Sequence, residues 1–285
     1  MEALNRNGTL IITELPKDRK PIGTVQKSWN MYQLDINNAF LYGDLSEEVY
    51  MSLSEGEINK CKEFLSTKFR VKDLGKLKYV LGIELMESEK GLTMCQRKYC
   101  LELLSEFGLL GCKPTLTTME PDSILSSNVV HETGDTLLDN ITEYQKLVGK
   151  LINLTLTRPD IAYAVHCLSQ FMHAPRKSYL KVALRFLRYL KGSPGKGVLF
   201  KQTVDFNVSA YVDSDWAKCN FSKKSVTGYC VYLGDCLVSW KSKKQSTVSR
   251  SSAESEYRIL ASLTCEVVWI LKILTDLTIK TYLPV

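Results

Sequence analysis

Apolar positions recur along the chain with two periods, and each period predicts a kind of element. Residues 8–16 (GTLIITELP) read as a strand closed by Pro16, and Tyr32, Leu34 and Ile36 alternate through a second strand, 31–36. Residues 37–45 then read as a turn into a short helix. Ile58, Cys61, Phe64, Leu65 and Phe69 fall at helical spacing over 58–69. Residues 77–88 and 91–96 read as two strands joined at Glu89–Gly91, and 98–110 as a helix stopped by Gly111. After a polar connector come three helical stretches, 142–156, 160–172 and 176–191, separated by Arg158-Pro159-Asp160 and by Pro175. The period then changes. Three short β-type runs (208–217, 225–234, 235–244) precede one long amphipathic helix, 251–274, begun at Ser251 or Ser252. On that helix Ala253, Tyr257, Leu260, Leu263, Val267, Leu271 and Leu274 form the stripe expected to face the sheet, with Glu256 inside it and Glu254 outside.

This alternation predicts an α+β chain in three blocks, 1–118, 119–200 and 201–285. A length of 285 residues with 45% apolar and 24% charged residues suffices for a sizeable core and excludes wholesale disorder. No run of 18 uncharged apolar residues exists, so a membrane span is not expected, and residues 1–20 lack a secretory pattern. Nine cysteines without C-x-x-C spacing and three histidines (131, 166, 173) give no zinc-type cluster. A reduced, intracellular compartment (cytoplasmic or nuclear) is the expectation. The net charge of +6 permits a nucleic-acid partner without requiring one.

Three constellations could carry chemistry. Asp35 ends a strand just before a turn, which suits either a metal-binding carboxylate or a turn aspartate. Asp213 and Asp215 share one face of a strand, and Glu256 sits near the start of the long helix. A strand acid opposite a helix acid can hold a divalent ion, whereas an exposed Glu256 would merely complement the helix dipole. The helix 176–191 carries six basic residues and no acid, with Lys177, Lys181, Arg185 and Arg188 on one face and Leu180, Leu184 and Leu187 toward the core. With Lys241, Lys243 and Lys244 it could follow a phosphate backbone or be a solvated face. His166 and His173 are expected to be packing residues.

At these residues the sequence resembles the copia-type long-terminal-repeat retrotransposon Pol polyproteins. The resemblance is carried by NGTLIITELPKDRKPIG, YQLDINNAFLYGDLSEEVYM, FRVKDLGKLKYVLGIEL, YQKLVGKLINLTLTRPDIAYAV, LRFLRYLKGSPGKGVLF, YVDSDWA and KKSVTGYCVYLGDCLVSWKSKKQSTVSRSSAESEYRILA, in family order over most of the chain. It implies a partial reverse transcriptase palm (1–118), a helical thumb or connection region (119–200) and an incomplete ribonuclease H-like domain (201–285). It assigns Asp35, Asp213 and Glu256 as catalytic, metal-binding acids, with Glu254 in reserve and Asp215 a signature residue without an assigned ligand role. The implied cofactor is Mg2+ or Mn2+, and the implied partner an RNA–DNA hybrid or nucleic-acid backbone. The sequence departs from the family in three places. The adjacent aspartates of a Y-V-D-D hairpin, due between 49–53 and 58, are missing, and no Asp-Asp dipeptide occurs anywhere. The basic fingers segment is missing between Lys27 and Trp29, and the later ribonuclease H acids do not follow the helix. Metal binding is therefore expected to be weak or absent and the fragment catalytically inactive. The alternatives are a non-catalytic nucleic-acid-binding remnant and a translated fragment without function.

Overall fold

The computed structural model describes residues 32–36, 55–68, 71–119, 135–201, 206–219, 221–276, 279 and 281. The strand expected at 8–16, the turn at 37–45 and the deletion point between Lys27 and Trp29 lie outside these residues, whereas at the other deletion point, between 53 and 58, a helix already begins at Glu55. The first described strand, β1 (Tyr32–Ile36), pairs antiparallel with β2 (Val71–Lys76), which places Asp35 opposite Lys72. Between them runs α1 (Glu55–Lys68).

The apolar run 77–88 divides into two strands, β3 (Tyr79–Val80) and β4 (Ile83–Ser88). Leu81 and Gly82 form the two-residue turn between them, with φ of 49° and 84°. Two successive positive φ values match the twist of a hairpin. Leu81 carries neither the glycine nor the asparagine that usually announces such a turn, so the run reads as one strand from sequence. β4 pairs with β5 (Gly91–Cys95) across the expected turn, and β5 pairs with β6 (Val198–Phe200), which the periodicity did not reveal. The close approach of β6 requires Gly197, since a Cβ there would stand 2.0 Å from the Met94 carbonyl oxygen.

Helix α2 (Arg97–Glu106) ends earlier than its apolar residues suggest. Gly108 takes a positive φ of 66°, and the Leu109 amide returns to the Leu104 carbonyl at 2.8 Å. The stop is therefore Gly108, not Gly111. Helix α3 (Ile141–Leu154) is capped by Asn140, whose side chain accepts from the Glu143 amide. Pro159–Ile161 forms a 3-10 turn leading into α4 (Ala162–Ser169), and α5 (Lys177–Gly192) follows. Helices α2 to α5 bury one continuous core, including Leu104, Tyr144, Leu147, Leu151, Ile161, Leu168, Phe186 and Leu190.

The third block is a meander of β7 (Val208–Asp215), β8 (Val226–Leu233) and β9 (Cys236–Lys244), followed by α6 (Ser252–Asp276). Its core joins Val208, Val231 and Leu233 to Leu263, Ile270 and Leu274. The two packed units meet along β9. The Trp240 indole donates to the Thr155 carbonyl at 3.1 Å, and the Lys244 amide donates to His166 Nε2 at 2.9 Å. Among the described residues, no helix is long and apolar enough to cross a membrane.

Candidate functional site

Strand β7 sorts its side chains by alternation. Val208, Ala210 and Val212 pack toward α6, and the hydroxyl of Ser214 meets that of fully buried Ser255. Asp213 and Asp215 consequently lie on the opposite face. There they line an open cleft of about 580 Å³ with Tyr163, Tyr211, Tyr232 and Trp240. Asp213 is exposed, and Asp215 pairs with Lys218 at 3.7 Å.

The buried stripe of α6 is Ser255, Ile259, Leu263, Ile270 and Leu274. This corrects the stripe read from the sequence. Tyr257 is 73% exposed and Leu260 44% exposed, so the expected face is turned by roughly a quarter of the helix circumference. Glu256 is half-buried beside the Ser255 contact, about 100° from it at 3.6 residues per turn. Farther along the helix, Glu266 reaches the sheet and accepts a hydrogen bond from the Ser239 hydroxyl at 2.7 Å. Glu254 belongs to the helix cap. Its amide donates to Ser251 Oγ, while its carboxylate accepts from the Arg250 amide at 2.7 Å and pairs with Arg258 at 2.6 Å. The Arg250 hydrogen bond first, and Arg258 second, hold this carboxyl below the usual range.

Asp213 therefore projects from the face of β7 away from α6, the helix that carries Glu256, and Glu254 is committed to the helix cap. A divalent ion wants several oxygen ligands at once. Among the described residues, no three His, Cys, Asp or Glu side chains stand together as a metal group. Asp35 keeps its place on β1 opposite Lys72.

The basic face of α5 is partly occupied. Lys177 and Lys181 are exposed as expected, and Leu187 is buried with Leu180 and Leu184 against the same core. Arg185 and Arg188 instead hold the connector that follows α2. Arg185 Nη2 reaches the Thr117 hydroxyl at 3.4 Å, and Arg188 Nε donates to the Lys113 carbonyl at 3.0 Å. Of the second cluster, Lys241 and Lys243 are exposed, whereas Lys244 is engaged at the seam by Gln170 at 2.6 Å. His166 is a packing residue. Burial first, then the charges of Lys244 and Lys243, lower its pKa, which keeps Nε2 free to accept the Lys244 amide.

One arrangement escaped the sequence reading. Arg158, its side chain 2% exposed, makes a two-pronged ion pair with Asp160 at 2.9 Å on both prongs. Arg158 Nη1 also donates to the Ser193 carbonyl at 2.9 Å, while Tyr189 and Lys196 donate to the second Asp160 oxygen. Burial opposes ionisation of Asp160, but the hydrogen bonds from Arg158 and Tyr189 outweigh it and hold the carboxyl well below the usual range. A basic residue and an acid flanking a proline was the available signal. It marked a helix boundary but not a buried lock.

Comparison with known proteins adds the context of relatives. The model of the family described as "Reverse transcriptase (RNA-dependent DNA polymerase)" matches residues 52–121. The retrovirus-related Pol polyprotein from transposon RE1 of Arabidopsis thaliana is 35% identical over 336 residues, covering 91% of this chain and 23% of the relative. The corresponding polyprotein from transposon TNT 1-94 of Nicotiana tabacum is 32% identical, over 78% of this chain and 17% of the relative. An uncharacterized mitochondrial protein of Arabidopsis thaliana is 42% identical over 72% of this chain, and 83% of that protein is covered. The chain thus spans about a quarter or less of the Pol polyproteins it matches. The RE1 match is longer than the 285 residues of this chain, so the relative carries residues inside the matched region that have no counterpart here. No solved structure matches the chain.

Proposed function

We propose that this chain, which belongs to the copia-type retrotransposon Pol polyprotein family, is a remnant of the polymerase and ribonuclease H region that has kept the scaffold and lost the chemistry. The observation that carries the reading is the dispersal of its acids. Polymerisation by two metal ions needs a set of carboxylates that clamps the attacking and leaving oxygens. Asp35 has no adjacent Asp-Asp pair in the sequence to complete such a set. The extra length of the RE1 match supports an internal loss. The meander β7–β9 followed by α6 supports a ribonuclease H-like reading of 201–285, with Asp213 turned to the face of β7 away from α6.

Residual contact with an RNA–DNA hybrid would be electrostatic. Lys177, Lys181, Lys241 and Lys243 are exposed and suit a backbone without reading bases. One experiment reads both parts. The purified chain is incubated with a primer on an RNA template, Mg2+ or Mn2+ and nucleotides, and both gel retardation and extension are measured. The expected result is salt-sensitive retardation without extension. Extension above background that disappears in Asp35→Ala would overturn the proposal.

A further inference from the structure

The face of the β7–β9 sheet turned away from α6 has a hollow near its centre. Antiparallel register sets side chains in rows across this face. Tyr211, Cys230 and Trp240 form one row, and Asp215, Val226 and Lys244 form another. The row between them is Asp213, Gly228 and Ser242, so its middle carries no side chain. Neither backbone conformation nor packing accounts for the glycine. Its φ lies outside the left-handed region, and a Cβ added there would meet nothing nearer than the Lys241 carbonyl oxygen at 3.7 Å. A glycine inside a strand then marks a place left open for a close approach.

The rim of the hollow supplies the chemistry. Neither the Asp213 carboxylate nor the Ser242 hydroxyl has a partner among the described residues. Their Cα atoms stand about 10 Å apart, two interstrand spacings. The gap between their side chains suits one ammonium group that donates to both. The lysines at the edge of this face are already engaged: Lys218 pairs with Asp215 at 3.7 Å, and Gln170 holds Lys244 at 2.6 Å. Aromatic rings wall the rest of the cleft of about 580 Å³. Tyr211 and Tyr232 meet edge to face at 6.1 Å on the sheet, and Tyr163 lines the cleft from α4. Trp240 is fixed by its bond to the Thr155 carbonyl. Such rings attract a cation and cover an apolar body.

We infer that this cleft is a binding site for a small primary ammonium ligand with an aromatic or apolar body. The ammonium sits over Gly228 and donates to the Asp213 carboxylate and to the Ser242 hydroxyl oxygen. The body lies against Tyr211, Tyr232 and Trp240, under Tyr163. Two open acceptors favour an ammonium that carries N–H donors over a quaternary one. The Asp213 charge repels an anion, which sets this site apart from a phosphate-backbone contact.

The test titrates the full, 15N-labelled chain with phenethylammonium chloride at pH 7 and follows the backbone amide resonances. Phenethyl alcohol, with the same body and no charge, is the control. The ammonium is expected to shift the amides of Asp213, Gly228 and Ser242 saturably, with a Kd of about 1–10 mM, a range suited to so small a ligand. The alcohol and the Asp213→Asn chain should each bind about fivefold more weakly, the loss of one partly solvated charge contact. Gly228→Val fills the hollow and should abolish the shifts while leaving the thermal midpoint at or above that of the parent, since valine suits a strand better than glycine. Absence of saturable shifts, shifts centred elsewhere, or equal binding of the alcohol would each overturn the assignment. So would a folded Gly228→Val chain that still binds. A Gly228→Val chain that melts well below the parent would show that packing requires the glycine, and would overturn it too.

Discussion

Arg158→Ala is expected to destabilise the chain by about 3–5 kcal/mol, among the largest effects of any single change. The arginine lies between the end of α3 and the 3-10 turn, and its two prongs close on Asp160 only two residues away. Its remaining donor crosses to the Ser193 carbonyl at the end of α5. Removing the side chain leaves Asp160 with Tyr189 and Lys196, empties a buried volume and leaves the Ser193 carbonyl with the Lys196 amide in place of two donors. Arg158→Lys keeps a charge but cannot reproduce the two-pronged geometry, so it should recover only part of the loss. Asp160 gives the pair a pH signature. Its folded pKa lies below the ordinary 3.8, so the contribution is present at neutral pH. It is lost as the pH falls below 3.8 and through the folded value. Urea unfolding of the two variants beside the parent measures the effect. A change within about 0.5 kcal/mol for Arg158→Ala, the range of an ordinary surface substitution, would contradict it.

The second large effect tests the rotation of α6. Ile259→Lys is expected to cost about 3 kcal/mol or more, because it places an unpaired ammonium against the sheet. Tyr257→Lys, two residues earlier on the exposed side, should change stability by no more than about 0.5 kcal/mol. The stripe inferred from the sequence gives the opposite order, since it turns Tyr257 inward. Unfolding midpoints of the two variants therefore decide between the two faces. If Tyr257→Lys proves the costlier change, the stripe read from the sequence is the buried one.

The contrast between these two sites shows what the sequence made legible. The three strands and the long helix of the last block lie within a few residues of their expected positions, because turn residues and a change of period mark them. The face of α6 was not legible. Tyr257, Leu260, Ala261, Val268 and Trp269 are apolar yet exposed or at the edge, while the sheet-facing stripe begins with a serine. A helix apolar on two sides admits two stripes, and only the contact of Ser255 with Ser214 selects one. The same alternation sends Asp213 to the far face. Strand β6 was hidden for another reason. Three residues are too few for periodicity, and what defines them is pairing with distant β5. On α5, the one-signed face was visible, but not the use of Arg185 and Arg188 to hold the 113–117 connector, since a long-range hydrogen bond leaves no local pattern.

Hybrid cleavage asks whether Asp213 and Glu256 act on one ion. The purified chain is incubated with an RNA–DNA hybrid in Mg2+ and in Mn2+, and release of RNA fragments is followed beside Asp213→Asn and Glu256→Gln. With Asp213 turned away from the helix that carries Glu256, and no cluster of three metal-binding side chains among the described residues, the parent chain should cleave no faster than either variant or the protein-free control. Metal-dependent cleavage by the parent, abolished in both variants, would show that the two acids act on one ion and would contradict the account.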